Sequence, residues 1–286
     1  MNAALWKKTL RDSKWLLLGS MALMFLVHWV RVWLASQLSL SNLKTILALL
    51  PPIAEKISPV PLKQIATPMG RIAIAYDDPT VLMLVTVWAI ARGSDAVSGE
   101  INRGTMEIVL SQPVTRLQVL ATHAAATILG AVVLAATAWL ATWTGLMSVT
   151  LDEPVSAQVF LPAALNLCAI TIFLAGLTTM VSSADQYRWR TIGLVGAFYA
   201  IELVIKVVAR AAKGFEWMNY LTFFTPFEPQ FIISRQSSAW SLWYATADGS
   251  WQLGGLGYDS VLVGLGLICY AIAALIFSYR DIPAPL

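Results

Sequence analysis

EINRGTMEIVLSQPVTR, residues 100–116, is a short polar and charged insert between two long apolar runs. It carries Glu100, Arg103, Glu107 and Arg116, a set poorly suited to lipid and well suited to gripping a soluble partner. The run before it, about Pro79 to Gly99, and the run after it, about Leu117 to Met147, are each long enough to cross a hydrocarbon core of about 30 Å. The insert therefore reads as the place where two membrane helices turn around.

Composition extends this reading to the whole chain. The 286 residues are 58% hydrophobic and 12% charged, with mean hydropathy +0.69. Soluble domains carry about twice that share of charge. The fold class that follows is an all-α membrane protein with six spans, at about 15–36, 79–99, 117–147, 159–181, 191–212 and 260–279. The 37–76 connection, broken by Pro51, Pro52, Pro59, Pro61 and Pro68, reads as too interrupted to span, although SNLKTILALL (41–50) suits a short surface helix. Residues 1–14 read as an amphipathic helix in which Leu5, Trp6 and Leu10 face acyl chains while Lys7, Lys8, Arg11 and Lys14 meet headgroups. The run that follows is longer than a signal-peptide core and lacks a convincing cleavage site, so it is expected to be retained. Residues 15–286 then form one membrane domain.

A net charge of +3 is too small to argue for nucleic acid. Cys168 and Cys269 fall within apolar runs and read as small buried residues. His28 and His123 have no Cys, Asp or Glu at ligand spacing, so no metal site is expected. Counting positive residues at the span ends puts Lys7, Lys8, Arg11, Lys14, Arg92, Arg103, Arg116, Arg188, Arg190 and Arg280 on one side. With that side inward, both termini and the 100–116 turn are cytoplasmic.

Within the turn, Gly104 permits a backbone that other residues resist and Thr105 can cap a short helix through Met106, Glu107, Ile108, Val109 and Leu110. Pro113 stops that helix, and Arg116 opens the next span. The pattern E-x-x-x-G-T-x-E-x-x-L-S-x-P-V-T-R, in which Glu100, Gly104, Thr105, Glu107, Leu110, Ser111, Pro113, Val114, Thr115 and Arg116 are the fixed letters, resembles the signature of type-2 ABC exporter permeases. WKKTLRDSKW resembles that family's connecting helix, FTPFEPQFII its short helical re-entry, and FSYRDIPAPL its closing segment. The resemblance is strongest for permeases whose ATPase is a separate polypeptide.

The resemblance implies that residues 100–116 form the coupling segment. Glu100, Arg103, Gly104, Thr105, Glu107, Pro113 and Arg116 are its candidate contacts to a nucleotide-binding ATPase subunit. It further implies two such ATPases, a second permease copy (the same chain or a close paralogue), ATP and Mg bound by the partner and no cofactor in this chain, and a plasma or inner membrane, bacterial location. No G-x-x-x-x-G-K-S/T phosphate loop occurs in these residues, so the chain is expected to be a non-catalytic subunit. Two alternatives stay open: a subunit that transmits force to an extracytoplasmic partner without moving a solute, and an ion-gradient-driven transporter. An intramembrane enzyme finds no H-E-x-x-H, G-x-S-x-G or facing aspartates to support it.

Inside the fifth span, Glu202, Lys206 and Arg210 recur every four residues on one face. They suggest either a translocation path or dimer seam at Glu202 and Lys206, or a self-neutralising Glu202–Lys206 pair with Arg210 reaching the surface. Arg92 and Asp95 read as a local pair near the headgroups. Asn166 suits a hydrogen bond between helices. The aromatic residues after 213 suit a membrane-interface anchor.

Overall fold

A computed structural model describes residues 3–37, 67–212, 214–246 and 249–281. Six of its helical segments are long and apolar enough to cross a membrane. They comprise α1 (Ala3–Gln37), a second segment built from α2 (Pro68–Ala73), a 3-10 turn (Ile74–Asp77), α3 (Pro79–Ser94), a π turn (Asp95–Gly99) and α4 (Glu100–Asn102), then α6 (Arg116–Ser148), α7 (Leu161–Ala184), α8 (Arg188–Ala211) and α10 (Gly255–Tyr279). The short α5 (Met106–Leu110) lies between the second and third spans, and α9 (Pro229–Ser234) precedes a small hairpin of β1 (Trp243–Ala245) and β2 (Trp251–Leu253). The expected class, an all-α membrane protein with six spans, is what forms.

Three boundaries differ from the sequence reading. No break separates residues 3–14 from the first span; they continue in one helix because no proline or paired glycine interrupts them. Its buried stripe, Thr9, Ser13, Ser20, Met24, His28, Val32 and Ala35, follows helical spacing and packs against α6. The second segment starts at Pro68 instead of near 79. Pro68 occupies the first turn, where a missing N–H costs nothing, and the Thr67 hydroxyl accepts from the Gly70 amide at 3.1 Å. Pro79 then restarts the helix with Asp78 as cap, so the proline-rich connection hides a buried helical entrance containing Tyr76. The last span begins at Gly255, five residues before the expected 260. The surface helix expected at 41–50 lies outside the described residues.

α7 is the central element, packing against α10, α3 and α6. At its crossing with α10, a Cβ on Gly176 would sit 2.4 Å from the Gly266 carbonyl oxygen, so the two backbones touch. Small residues let membrane helices approach this way, gaining dispersion contact where apolar burial by itself gives no drive. A Cβ on Gly130 of α6 would strike the Trp88 ring, whose indole N–H donates to the Thr127 carbonyl at 3.1 Å. The main core of the bundle has Tyr76 between His28 and Phe160, with Phe223, Phe224 and Phe227 under α8. These phenylalanines are buried, whereas Trp217, Tyr220, Trp240, Trp243 and Trp251 are exposed. The aromatic run after 213 thus divides between buried core residues and exposed ones, where a uniform surface anchor was expected.

Candidate functional site

The two ends of the bundle carry separate charge networks. At one end meet the start of α1, the 100–116 turn, the α7–α8 connection and the end of α10. The contacts that join them are Lys8 to Glu100, Arg116 to the carbonyls of Phe277 and Arg280, and Arg280 to the carbonyls of Ser183 and Asp185.

The turn is assembled locally. Gly104 has φ +68°, a left-handed conformation in which a Cβ is strained, and this lets α5 leave the axis of the preceding span. The Thr105 hydroxyl does not cap α5 as expected. It donates instead to the Glu100 carboxylate at 2.5 Å and the Glu100 carbonyl at 3.2 Å, tying the start of α5 back to α4. Met106 is 1% exposed and packs with Ala96, Val97, Leu120, Ala273 and Phe277. One side chain of α5 is therefore wedged among residues of the second, third and sixth spans. Glu107 and Ile108 point outward, and Ile108 is 65% exposed. After Pro113, Thr115 and Gln118 form a reciprocal capping box that starts α6 at Arg116.

Glu100 is turned inward. Only 2% exposed, it accepts from Lys8 Nζ at 2.6 Å, Arg103 Nη2 at 3.0 Å and Thr105. Asp95 accepts from Arg103 Nη1 at 2.6 Å and lies 3.6 Å from Arg188; the expected Arg92–Asp95 pair is present at a looser 3.8 Å. Burial disfavours charge on Arg103, but the hydrogen bond and charge of Asp95, with those of Glu100, outweigh it and raise its pKa. The backbone that carries Asp95 is a π turn, a geometry frequent at functional positions. Its Ser98 contacts Ser182 at 3.0 Å and Thr191 at 3.1 Å, linking the second span to the fourth and fifth.

Three arginines cap this end. Arg116 reaches the last carbonyls of α10, Arg280 those at the end of α7, and Arg188 the Ala91 carbonyl and Ser94 hydroxyl of α3. Arg116 and Arg280 meet the negative ends of α10 and α7, whereas Arg188 binds α3 just before it continues into the π turn, and together they fix these spans relative to one another.

Of the candidate contacts, then, Glu107 and Pro113 are outward-facing, Gly104 shapes the turn, Arg103 is shared between surface and network, and Glu100, Thr105 and Arg116 are engaged within the chain. The sequence offers no local signal for Lys8–Glu100 or Arg103–Asp95, since the first joins residues 92 positions apart and the second spans a π turn.

At the opposite end, the expected Glu202–Lys206 pair does not form. Lys206 instead lies 3.4 Å from Glu228 and donates to the carbonyls of Phe224 and Phe227 at 3.1 and 2.9 Å, and Arg210 also binds Glu228. The folded-back segment before α9 supplies all these acceptors. A carboxylate on that segment reaches the lysine from outside the helix, whereas Glu202 keeps a buried Oε2 with no hydrogen-bond partner among the described residues. Asn166 makes the inter-element bonds expected of it, donating to Pro226 and Asp259 at 2.9 and 2.8 Å. A largely apolar groove of about 480 Å³ runs between α3 and α8, with Asp77, Lys206 and Arg210 among its walls. Glu202 is not among its lining residues.

A family model described as ABC-2 family transporter protein matches residues 4–282. No curated protein matches the chain.

Proposed function

Because this chain belongs to the ABC-2 family of transporter proteins, we propose that it is the permease subunit of an ATP-driven exporter, paired with a second permease copy and driven by two separate ATPase subunits. The end bearing residues 100–116 faces the cytoplasm of a bacterial inner membrane in this reading, with both termini on that side. The positive collar of Lys8, Arg103, Arg116, Arg188 and Arg280 supports that orientation.

One observation carries the reading. α5 presents Glu107 and Ile108 outward while its Met106 is seated among three spans. A push on the outer face of such a helix is delivered directly to the spans it is wedged between, because packed interiors pass strain on and do not absorb it. A shallow groove of about 340 Å³ beside it, lined by Leu5, Lys8, Thr105, Ile108, Val109 and Gln112, supplies apolar surface at which the ATPase docks. Glu107 and Ile108 are the contacts that matter most; Glu100, Thr105 and Arg116 act by holding α5 in place. The α3–α8 groove, with Lys206 at its wall, is the translocation path or the seam between permease copies, and Glu202 does not line it.

Co-purification with the ATPase tests this. Ile108→Asp with Glu107→Lys is expected to abolish the complex while the permease still inserts and elutes as wild type. Retention of the ATPase after deletion of residues 100–113 would sink the proposal.

A further inference from the structure

We propose that the cleft between α1 and the start of the 100–116 turn is a binding site for a phosphate-bearing anion. The cleft measures about 370 Å³ and has Arg92 and Arg188 in its walls, with Leu16 and Ala91 lining its apolar side.

Charge balance is the first argument. Lys8, Arg92, Arg103 and Arg188 line the cleft, against Asp12, Asp95 and Glu100, so the lining carries one cation in excess. The carboxylates are unevenly spent. Glu100 is taken by Lys8 and Arg103, and Asp95 holds Arg103 at 2.6 Å, leaving Arg188 at 3.6 Å and Arg92 at 3.8 Å.

Arg92 is the second, independent argument. It is 3% exposed, and its Nε and Nη2 have no hydrogen-bond partner among the described residues. A guanidinium shielded from water and left with free N–H groups is costly unless an anion compensates it. Arginine's planar fork suits phosphate, and the cleft is too roomy for one carboxylate to fill. It also lies where the span ends meet headgroups, with an apolar wall for the attached chain. An anionic phospholipid and a soluble phosphate offer the same group, and they are told apart by where the anion is supplied. The inference concerns the permease itself and does not depend on the ATPase reading.

The test is direct binding to the full chain in lipid nanodiscs, read by native mass spectrometry. One arm uses phosphatidylglycerol discs without soluble phosphate; the other uses phosphatidylcholine discs with added inorganic phosphate. Retained phosphatidylglycerol, weakened about fivefold in Arg92→Gln, is expected and identifies the lipid as source. Arg92-dependent binding of inorganic phosphate instead supports the site with a soluble ligand. Asp12→Asn, at an exposed position within electrostatic reach of Arg92, is expected to tighten binding and serves if Arg92→Gln folds poorly. Binding that neither variant changes, or no binding in either arm, would overturn the proposal.

Discussion

Glu100 and Glu107 stand in the same charged turn with opposite surroundings. Glu100 is buried and accepts from Lys8, Arg103 and Thr105; Glu107 is exposed. Glu100→Ala is expected to destabilise the protein by about 1–3 kcal/mol, less than a fully buried pair would cost because both cations keep access to water. Glu107→Ala should stay within about 0.5 kcal/mol. Thermal unfolding in detergent separates them, and equal melting temperatures would mean the Glu100 network contributes nothing. The other end of the bundle gives a matching contrast. Lys206→Met strands the Phe224 and Phe227 carbonyls and is expected to cost about 1–3 kcal/mol in the same assay. Glu202→Gln should be neutral or stabilising, since a buried, unpartnered oxygen is all that changes. A larger loss in Glu202→Gln than in Lys206→Met would contradict this assignment of partners.

At the scale of elements, helix approach is set by a few small residues. Gly176→Ala on α7 forces its Cβ to within 2.4 Å of the Gly266 carbonyl oxygen, which is backbone and cannot rotate aside. A loss of about 1–3 kcal/mol is expected, as for other overpacked sites. On α8, a Cβ at Gly193 or Gly196 meets nothing within 4 Å, so Ala there should be neutral or slightly stabilising in the same melting assay. α5 follows a similar logic in the outward direction. That an outward-facing element lies in this turn was legible in the charges of residues 100–116, because solvated charge in an apolar chain has few uses. Which of those charges face out was not legible, since Gly104, Thr105 and the π turn together rotate Glu100 inward.

For the whole molecule, the six spans and the contacts at each end place residue pairs on shared faces. Cysteines introduced at Gln112 and Gln186, in a background lacking Cys168 and Cys269, are expected to react with a membrane-impermeant maleimide from the cytoplasmic side. A cysteine at Glu153 or Tyr220 should react from the other side. Labelling of Gln112 and Glu153 from the same side would break the topology, and labelling of Gln112 from outside would invert the proposed direction of force.

Hydropathy and length alone determined that this is an all-α membrane protein, with six helices long and apolar enough to span among the described residues, because lipid admits few alternatives to helices of about 20 apolar residues. The charged turn, its glycine and its proline were likewise readable, being short-range features of the backbone. Pairing was not. Lys206 sits one helical turn from Glu202 yet binds Glu228, and Pro68 looked like part of a linker yet opens a buried helix. Charges inside the membrane go to whichever partner completes their hydrogen bonds at least desolvation cost, and that partner is chosen by how distant segments fold back. Only the tertiary structure, by bringing Lys8 to Glu100, Arg280 to Asp185 and Glu228 to Lys206, decided which residues face outward and which hold the turn in place.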